Sequence, residues 1–375
     1  MAKVLILGGG FAGVVAAQQL ARELGDEHQI TLVSRSRKFT FYPALVRLAL
    51  GKCELSDVSF DLRRSMLNRR VNFVAGEVAR ICPDEQKVII AHGEVEGHLT
   101  YDYLIFALGR RLATERITGF YEHAHHLLTT DKALEFGKAV TNFAGGRIVI
   151  GECPGARMPV PVYETAFALS QLLHDRDPHE AYHITVVSPD PPGKQFGDSN
   201  VGNAIVSTLK ARGIEFLADF PIDRVTAATA TTSNGHAINF DLLMLVPPFA
   251  GAPAASRLGI TNAESYINVD STMRVNGLDR VYAVGDCVNF SGPKLGHMAV
   301  RQAAVAAANL IDEFNGYEPT SHYVHEVKVV IDADSSDSLY IHKDLWTDEP
   351  ASFYQGRFWT WAKLAQEKYW ETMHS

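Results

Sequence analysis

Near its start the chain reads KVLILGGGFAGVVAAQQLARE, an apolar run, three clustered glycines and then a helix-like stretch. Gly8, Gly10 and Gly13 stand at G-x-G-x-x-G spacing, and a second strand-like run, HQITLVS, follows at 28–34. Strand, glycine turn, helix and strand in that order form the dinucleotide-binding fingerprint in its required context. The glycines permit a tight turn and let a pyrophosphate approach the helix N-terminus, where free N–H groups and the helix dipole favour negative charge. Phe11 and Ala12 sit between the glycines and belong to the same binding loop. One position departs from the pattern. The strand end that usually offers an acid to a ribose hydroxyl carries Ser34, followed by Arg35. A serine hydroxyl still hydrogen-bonds a ribose.

The unit then repeats. RIVIGECPGA (147–156) echoes the first strand and turn, and YHITVVS (182–188) echoes the second strand. The positions equivalent to Gly8, Gly10 and Gly13 are Gly151, Cys153 and Ala156, and the strand end Ser188-Pro189 offers no acid. Pro154, Pro159 and Pro161 crowd the turn, fixing φ and removing N–H donors. The fold unit is expected to survive without a working nicotinamide site. The expected class is α/β with two Rossmann-like domains. A flavin-type domain spans 1–111 and 264–320, and 112–263 form the second, degenerate unit. Residues 321–375 form a C-terminal β-hairpin and an amphipathic, membrane-associating helix.

Bulk properties narrow the function classes. At 375 residues, 46% hydrophobic and 21% charged, the chain has the composition of a globular protein with room for two cores. A net charge of -8 argues against a nucleic-acid-binding surface. The first strand starts at Lys3, so no signal peptide is expected. Cys53, Cys82, Cys153 and Cys287 are scattered and form no C-x-x-C pair, which speaks against a disulfide framework or a structural zinc site. HAHH (123–126) lacks acidic or cysteine company and reads as a loop, so no metal is expected.

A late stretch, INVDSTMRVNGLDRVYAVGDCVNFSGPKLGHMAVRQAAVAAANL (267–310), resembles the flavin-closing segment of flavoproteins with two dinucleotide domains. YDYLIFALG (101–109) resembles that family's strand leading into an Ala-Thr-Gly crossover, with Leu108 in place of Thr. FTFYPALVRLALG (39–51), LVPPFAG (245–251), GDCVNF (285–290), PKLGHMA (293–299) and CPGA followed by VYETAFAL are similar to the sulfide:quinone oxidoreductases.

That resemblance implies FAD, held by Gly8, Gly10, Phe11, Ala12, Gly13, Ser34, Arg35, Val78, Ala107, Gly109, Asp286 and Lys294. It implies redox cysteines at Cys153 and Cys287 and an acid-base residue at Glu164, which follows Tyr163. Cys153 fits a subgroup with a Cys-x-Gly-Ala pattern; in another subgroup the cysteine falls where Met158 stands. Sulfide would open the Cys153–Cys287 disulfide, and electrons would pass through FAD to a quinone. Quinones lie in membranes. The tail FYQGRFWTWAKLAQEKYWETMHS puts Tyr354, Phe358, Trp361, Ala365 and Tyr369 at helical spacing with Arg357, Lys363 and Lys368. Such a helix suits a membrane interface. The expected protein is peripheral, on the cytoplasmic side of the membrane, with homo-oligomerisation open. Type II NADH dehydrogenases share the expected fold, but the altered second loop counts against that class. A flavocytochrome c subunit is exported, and no export signal is expected here. A flavin-thiol redox sensor is the non-enzymatic alternative.

Overall fold

The computed structural model describes residues 1–94, 97–177, 181–333 and 338–375. Apolar β-branched and leucine runs form the first unit's strands. These are β1 (Lys3–Leu7), β2 (Gln29–Ser34), β3 (Asn72–Ala75) and β4 (Tyr103–Phe106), with helix α1 (Phe11–Leu24) between β1 and β2. The second unit contributes β5 (Gly146–Glu152), α2 (Val160–Arg176), β6 (Tyr182–Val187), β7 (Glu215–Leu217) and β8 (Leu242–Val246). The chain then returns through β9 (Val281–Ala283) and α3 (Gly296–Phe314). It ends with β10 (Glu326–Ile331), β11 (Leu339–Asp344), β12 (Ser352–Gln355) and α4 (Arg357–His374).

The first sheet runs β9–β4–β1–β2–β3 and the second runs β7–β6–β5–β8, both parallel throughout. Helices cover such sheets on both faces, which is why their strands read as near-continuous apolar runs. Leu7 pairs with Val33 on one side and Phe106 on the other. The segments after β1, β2 and β4 therefore emerge together at the carboxyl edge of the sheet, where ligands of such folds bind. Arg111–Leu112 pairs antiparallel with Phe249–Ala250 and joins the outgoing and returning connections between the two units.

Alternation along β5 divides the second core. Ile148 and Ile150 face a cluster with Phe167, Leu295 and Met298. Val149 faces a separate cluster with Phe120, Leu243 and Leu245.

Two expectations are corrected here. The C-terminal hairpin is a three-stranded antiparallel meander, because β12 adds to β11. HAHH is not a free loop. His125 bridges to Met244, its backbone bonding Leu243 and Leu245, and so extends the edge of the second sheet.

The tail helix has two faces. Phe358, Trp361, Ala365 and Tyr369 are exposed as the spacing predicts, whereas Tyr354, expected on the same helix, lies before it in β12, paired with Tyr340. Lys363, Glu367, Trp370 and His374 fall at i, i+4, i+7 and i+11 and turn inward, one stripe of a 3.6-residue helix. Lys363 pairs with Glu164, and Arg47 bonds Glu367 at 2.6 Å. Trp370 is 7% exposed, so this one tail tryptophan departs from the interfacial role.

Candidate functional site

At the carboxyl edge of the first sheet, Gly8 adopts φ 115°, a conformation open to glycine and strained for other residues. A Cβ there would run into the Ala107 carbonyl, and one at Gly13 into the Gly8 carbonyl. Strand, crossover and helix are thus packed backbone to backbone. Gly10 differs: it is the N-cap of α1, and a Cβ would meet nothing within 4 Å. Its open face looks into a cavity of about 1250 Å³ lined by Gly8, Gly10, Phe11, Ser34, Arg35, Val78, Ala107 and Gly109. A second cavity of about 410 Å³ shares Gly10, Phe11 and Gly109 and adds Ala12 and Asp286.

Most of the expected cofactor residues therefore line one continuous region. Its volume exceeds the usual ~300–1,000 Å³ of small-ligand pockets and suits a dinucleotide. Arg35, Lys38, Arg80, Arg111 and Arg257 line the larger cavity and supply positive charge for a pyrophosphate. Gly13 lies behind the wall, holding α1 against the turn.

Arg110 escaped the sequence analysis. It pairs with Asp286, and its guanidinium lies 4.4 Å from the Phe249 ring centre and 5.3 Å from that of Tyr42. Its buried Nε has no hydrogen-bond partner. An orphaned donor at the cavity wall and an open glycine face fit a bound dinucleotide. The readable signal was an arginine directly after the crossover glycine, where an apolar strand gives way to charge.

The second connection is built differently. Seven residues, 153–159, separate β5 from α2, against three between β1 and α1. Arg157 Nε donates to the Gly292 carbonyl at 2.8 Å, Arg157 Nη2 donates to the Phe290 carbonyl, and Lys294 N donates to the Arg157 carbonyl at 2.7 Å. Met158 Sδ lies 3.8 Å from Arg110 Nη2. The connection thus lies across the cofactor side of the first unit, pinned by its arginine. The positions matching Gly10 and Gly13 are Cys153 and Ala156, and its one glycine, Gly155, stands off the fingerprint spacing.

The three expected catalytic residues lie in different surroundings, and Cys153 and Cys287 are both buried free thiols in separate clusters. Cys153 continues the alternation of β5, its N–H bonding the Val246 carbonyl at 2.9 Å. Strand geometry therefore puts its thiol on the Val149 face, in a cluster with Phe120, Leu243 and Leu245. Burial pushes that thiol well above its ordinary pKa. Met158, not Cys153, faces Arg110.

Cys287 is also a buried free thiol, but it belongs to the first core. Its Sγ lies 3.2 Å from the Val284 carbonyl and 3.7 Å from that of Phe106, beside the crossover. Burial pushes it up to about 11, while Lys294 and the N–H groups of Leu108 and Gly109 pull it down. Lys294 itself is buried away from the cavity wall. Its Nζ donates to the Val288 carbonyl and lies 4.7 Å from the Tyr266 ring centre. Burial, then the Arg157 charge, lowers its pKa to about 7.

Glu164 lines a separate cavity of about 210 Å³ under α4, with Arg47, Asp332, Thr360 and Lys363. It accepts from Lys363 Nζ and from Asp332 N at 2.8 Å. Burial raises its carboxyl to about 7 against the pull of Lys363.

The pyridine nucleotide-disulphide oxidoreductase family model matches residues 2–303. The sulfide-quinone reductase of Aquifex aeolicus (strain VF5) is 26% identical over 336 residues, 84% of this chain and 77% of that protein. A type II NADH:quinone oxidoreductase of Staphylococcus aureus (strain NCTC 8325 / PS 47) is 25% identical over 345 residues, 84% of this chain and 83% of that protein. The crystal structure of the sulfide:quinone oxidoreductase from Aquifex aeolicus has a TM-score of 0.92 at 23% identity, covering 99% of this chain and 90% of that one. NDH2 from Plasmodium falciparum in complex with NADH gives 0.74 at 15% identity, with 97% and 94% covered.

Proposed function

The chain belongs to the pyridine nucleotide-disulphide oxidoreductase family and is a FAD-binding, flavin-dependent oxidoreductase, and we propose that it carries electrons from sulfide to a membrane quinone. One observation carries the choice of donor. The second connection, where a nicotinamide pyrophosphate would sit, is seven residues long and pinned to Phe290 and Gly292. This favours a small donor over NADH, and the sulfide-quinone reductase likeness supplies its identity.

Hydrosulfide gives up two electrons to become zero-valent sulfur plus a proton. Quinone takes two electrons and two protons to become quinol. The balance is HS⁻ + quinone + H⁺ → S⁰ + quinol. FAD, when bound, supplies the two-electron acceptor that joins the halves. Gly8 and Gly10 with the cavity's basic side chains would hold its pyrophosphate and Asp286 its ribityl side, while Gly13 keeps α1 packed against the turn. Cys287 is the thiol set against the crossover. Burial holds its thiol protonated, up to about 11, and the Leu108 and Gly109 N–H groups and Lys294 only partly offset this toward the thiolate, the reactive form. Glu164 holds a proton near pH 7 beneath α4.

The outer face of α4 serves the quinone side. Phe358, Trp361 and Tyr369 are 69%, 68% and 62% exposed, an aromatic stripe fit for the lipid interface. No helix among the described residues is long and apolar enough to cross a membrane. The proposed location is peripheral, at the cytoplasmic face of a membrane, and the exposed aromatic stripe is what supports the membrane part of it.

Anaerobic titration of the purified flavoprotein tests this. Sulfide is expected to bleach the flavin absorbance stoichiometrically, and NADH to leave it nearly unchanged. Rapid bleaching by micromolar NADH would overturn the donor assignment and restore the dehydrogenase reading. Cys287→Ala should retain FAD and lose sulfide-driven bleaching. Cys153→Ala should keep it and lose only stability, about 1 kcal/mol for a small buried group. Sulfide-dependent quinone reduction at turnover rates separates an enzyme from a redox sensor.

A further inference from the structure

The inward face of α4 ends on the wall of the cofactor cavity. Trp370 stacks on Phe39 with ring centres 4.7 Å apart and planes at 17°, and meets Phe11 edge-on at 4.7 Å. Phe11 in turn touches Phe39 at 5.1 Å and Tyr42 at 5.1 Å. Phe11, Phe39 and Tyr42 all line the large cavity, and Phe11 is the first residue of α1, next to the open face of Gly10. Four residues from the fingerprint, the segment after β2 and the distant C-terminus thus form one aromatic cluster.

The indole is held from several sides. The His374 ring lies 4.0 Å from it, and His374 Nδ1 bonds Gln18 Oε1 of α1 at 2.6 Å. Ser65 donates to the His374 carbonyl, and Arg69 Nη2 donates to the Met373 carbonyl at 2.8 Å. At the other end of the stripe, Arg47 and Glu164 hold Glu367 and Lys363. The last two turns of the chain are therefore anchored on the first unit by bonds independent of the aromatic contacts. Nothing in membrane attachment demands this, since the interfacial aromatics point the other way.

We propose that the C-terminal helix clamps the cofactor: Trp370 is a positioning residue that fixes Phe11 and Phe39 at the cavity wall and so slows release of FAD. A side chain loose at Phe11 would leave the first turn of α1 free to shift, and that turn presents the N–H groups that meet the pyrophosphate. The proposal rests on FAD binding and does not depend on sulfide as donor.

The test measures FAD release from the full-length holoprotein by the growth of free-flavin fluorescence after dilution. Trp370→Leu keeps an apolar plug and the surrounding hydrogen bonds. It should release FAD about tenfold faster, the equivalent of about 1.4 kcal/mol, the size of an aromatic pair's contribution. Trp370→Phe should restore release to near the wild-type rate. Trp361→Ala, on the exposed face of the same helix, should leave release unchanged. The gain in Tm on adding FAD should shrink in the Leu variant while the apoprotein Tm moves little. An unchanged release rate in Trp370→Leu would overturn the clamp. So would equal acceleration in Trp361→Ala, or a Leu variant whose apoprotein Tm falls while its FAD-induced gain stays as in wild type.

Discussion

The two strand–turn–helix units begin alike and finish as opposites. At Gly8 the backbone turns with positive φ against Ala107, and at Gly10 it leaves an open face to the cavity. At the matching positions of the second unit, Gly151 packs against Val187, Glu152 is 4% exposed and Cys153 is fully buried. Both strands sit centrally in parallel sheets, so the fold has no use for the difference. What changes is where the turn's N–H groups go. In the first unit they border a cavity. In the second, the Cys153 N–H pairs with Val246 and the chain detours for seven residues before its helix starts. A Rossmann-like unit keeps its sheet when it loses its ligand, because strand burial and not the ligand holds the sheet.

The largest expected effect breaks the comparison at Gly10. A Cβ there meets no protein atom, so Gly10→Ala should leave the apoprotein Tm nearly unchanged, while the methyl occupies ligand space. FAD affinity should fall about 100-fold or more, roughly 2.7 kcal/mol, measured by titrating the apoprotein with FAD. The reciprocal change, Cys153→Gly, should leave FAD affinity alone and create no NADH binding, because the helix start that would complete a cradle is displaced to Val160. Tight NADH binding by that variant would mean the second unit is closer to a working site than its backbone indicates.

Much of this contrast was legible in the sequence. Period and glycine spacing marked both units, and several residues that the family resemblance implied after β1, β2 and β4 line one cavity, because sheet pairing puts those strands' carboxyl ends together. The packing around Cys153 was not legible. Cys153 sits next to a degraded loop, and its neighbours in sequence suggested a neighbour in space. Its direction is decided by one more step of strand pairing, Cys153 N to Val246, which no local pattern announces. Arg110 and Arg157 were missed for a similar reason. Their partners, Asp286 and the Phe290 and Gly292 carbonyls, lie more than a hundred residues away in the chain. Trp370 shares the tail with the exposed aromatics, yet the same helical period that exposes Trp361 turns Trp370 inward.

An intermediate effect concerns the pin that holds the second connection down. Arg157 is the donor for two carbonyls and lies 5.4 Å from the Tyr266 ring centre. Arg157→Met keeps most of the apolar stem and removes the donors, costing about 1–3 kcal/mol for acceptors left unsatisfied. Amide exchange in 153–159 should accelerate about tenfold or more, while the 8–13 turn keeps its protection. Equal acceleration in both turns would show that the connection is held by the fold as a whole and not by this arginine.

The smallest effect is a pH dependence belonging to the second loop alone. Glu152 Oε2 accepts from Gln195 Nε2 at 2.8 Å, and Gln195 Nε2 also reaches the Ala156 carbonyl at 3.3 Å. Glu152 Oε1 and Gln195 Oε1 are both buried without a partner. Burial, helped by the Asp190 charge and opposed by the Gln195 bond, lifts the carboxyl from 4.5 to about 8. The folded protein therefore binds this proton more tightly than the unfolded chain does. Between about pH 4.5 and 8 the native state carries the extra proton, so stability falls as pH rises through that window and levels off above it. Glu152→Gln keeps the shape and the Gln195 contact but has nothing to titrate. Its Tm should match wild type near pH 5 and exceed it by about 2 °C near pH 8.5, the order expected for a kcal/mol or so in a chain of this size. Taking the difference between variant and wild type cancels Glu164 and Lys294, which titrate in neighbouring ranges. A constant Tm difference from pH 5 to 8.5 would mean that Glu152 is ionised throughout, and that the second loop holds a buried charge where the first holds only glycine.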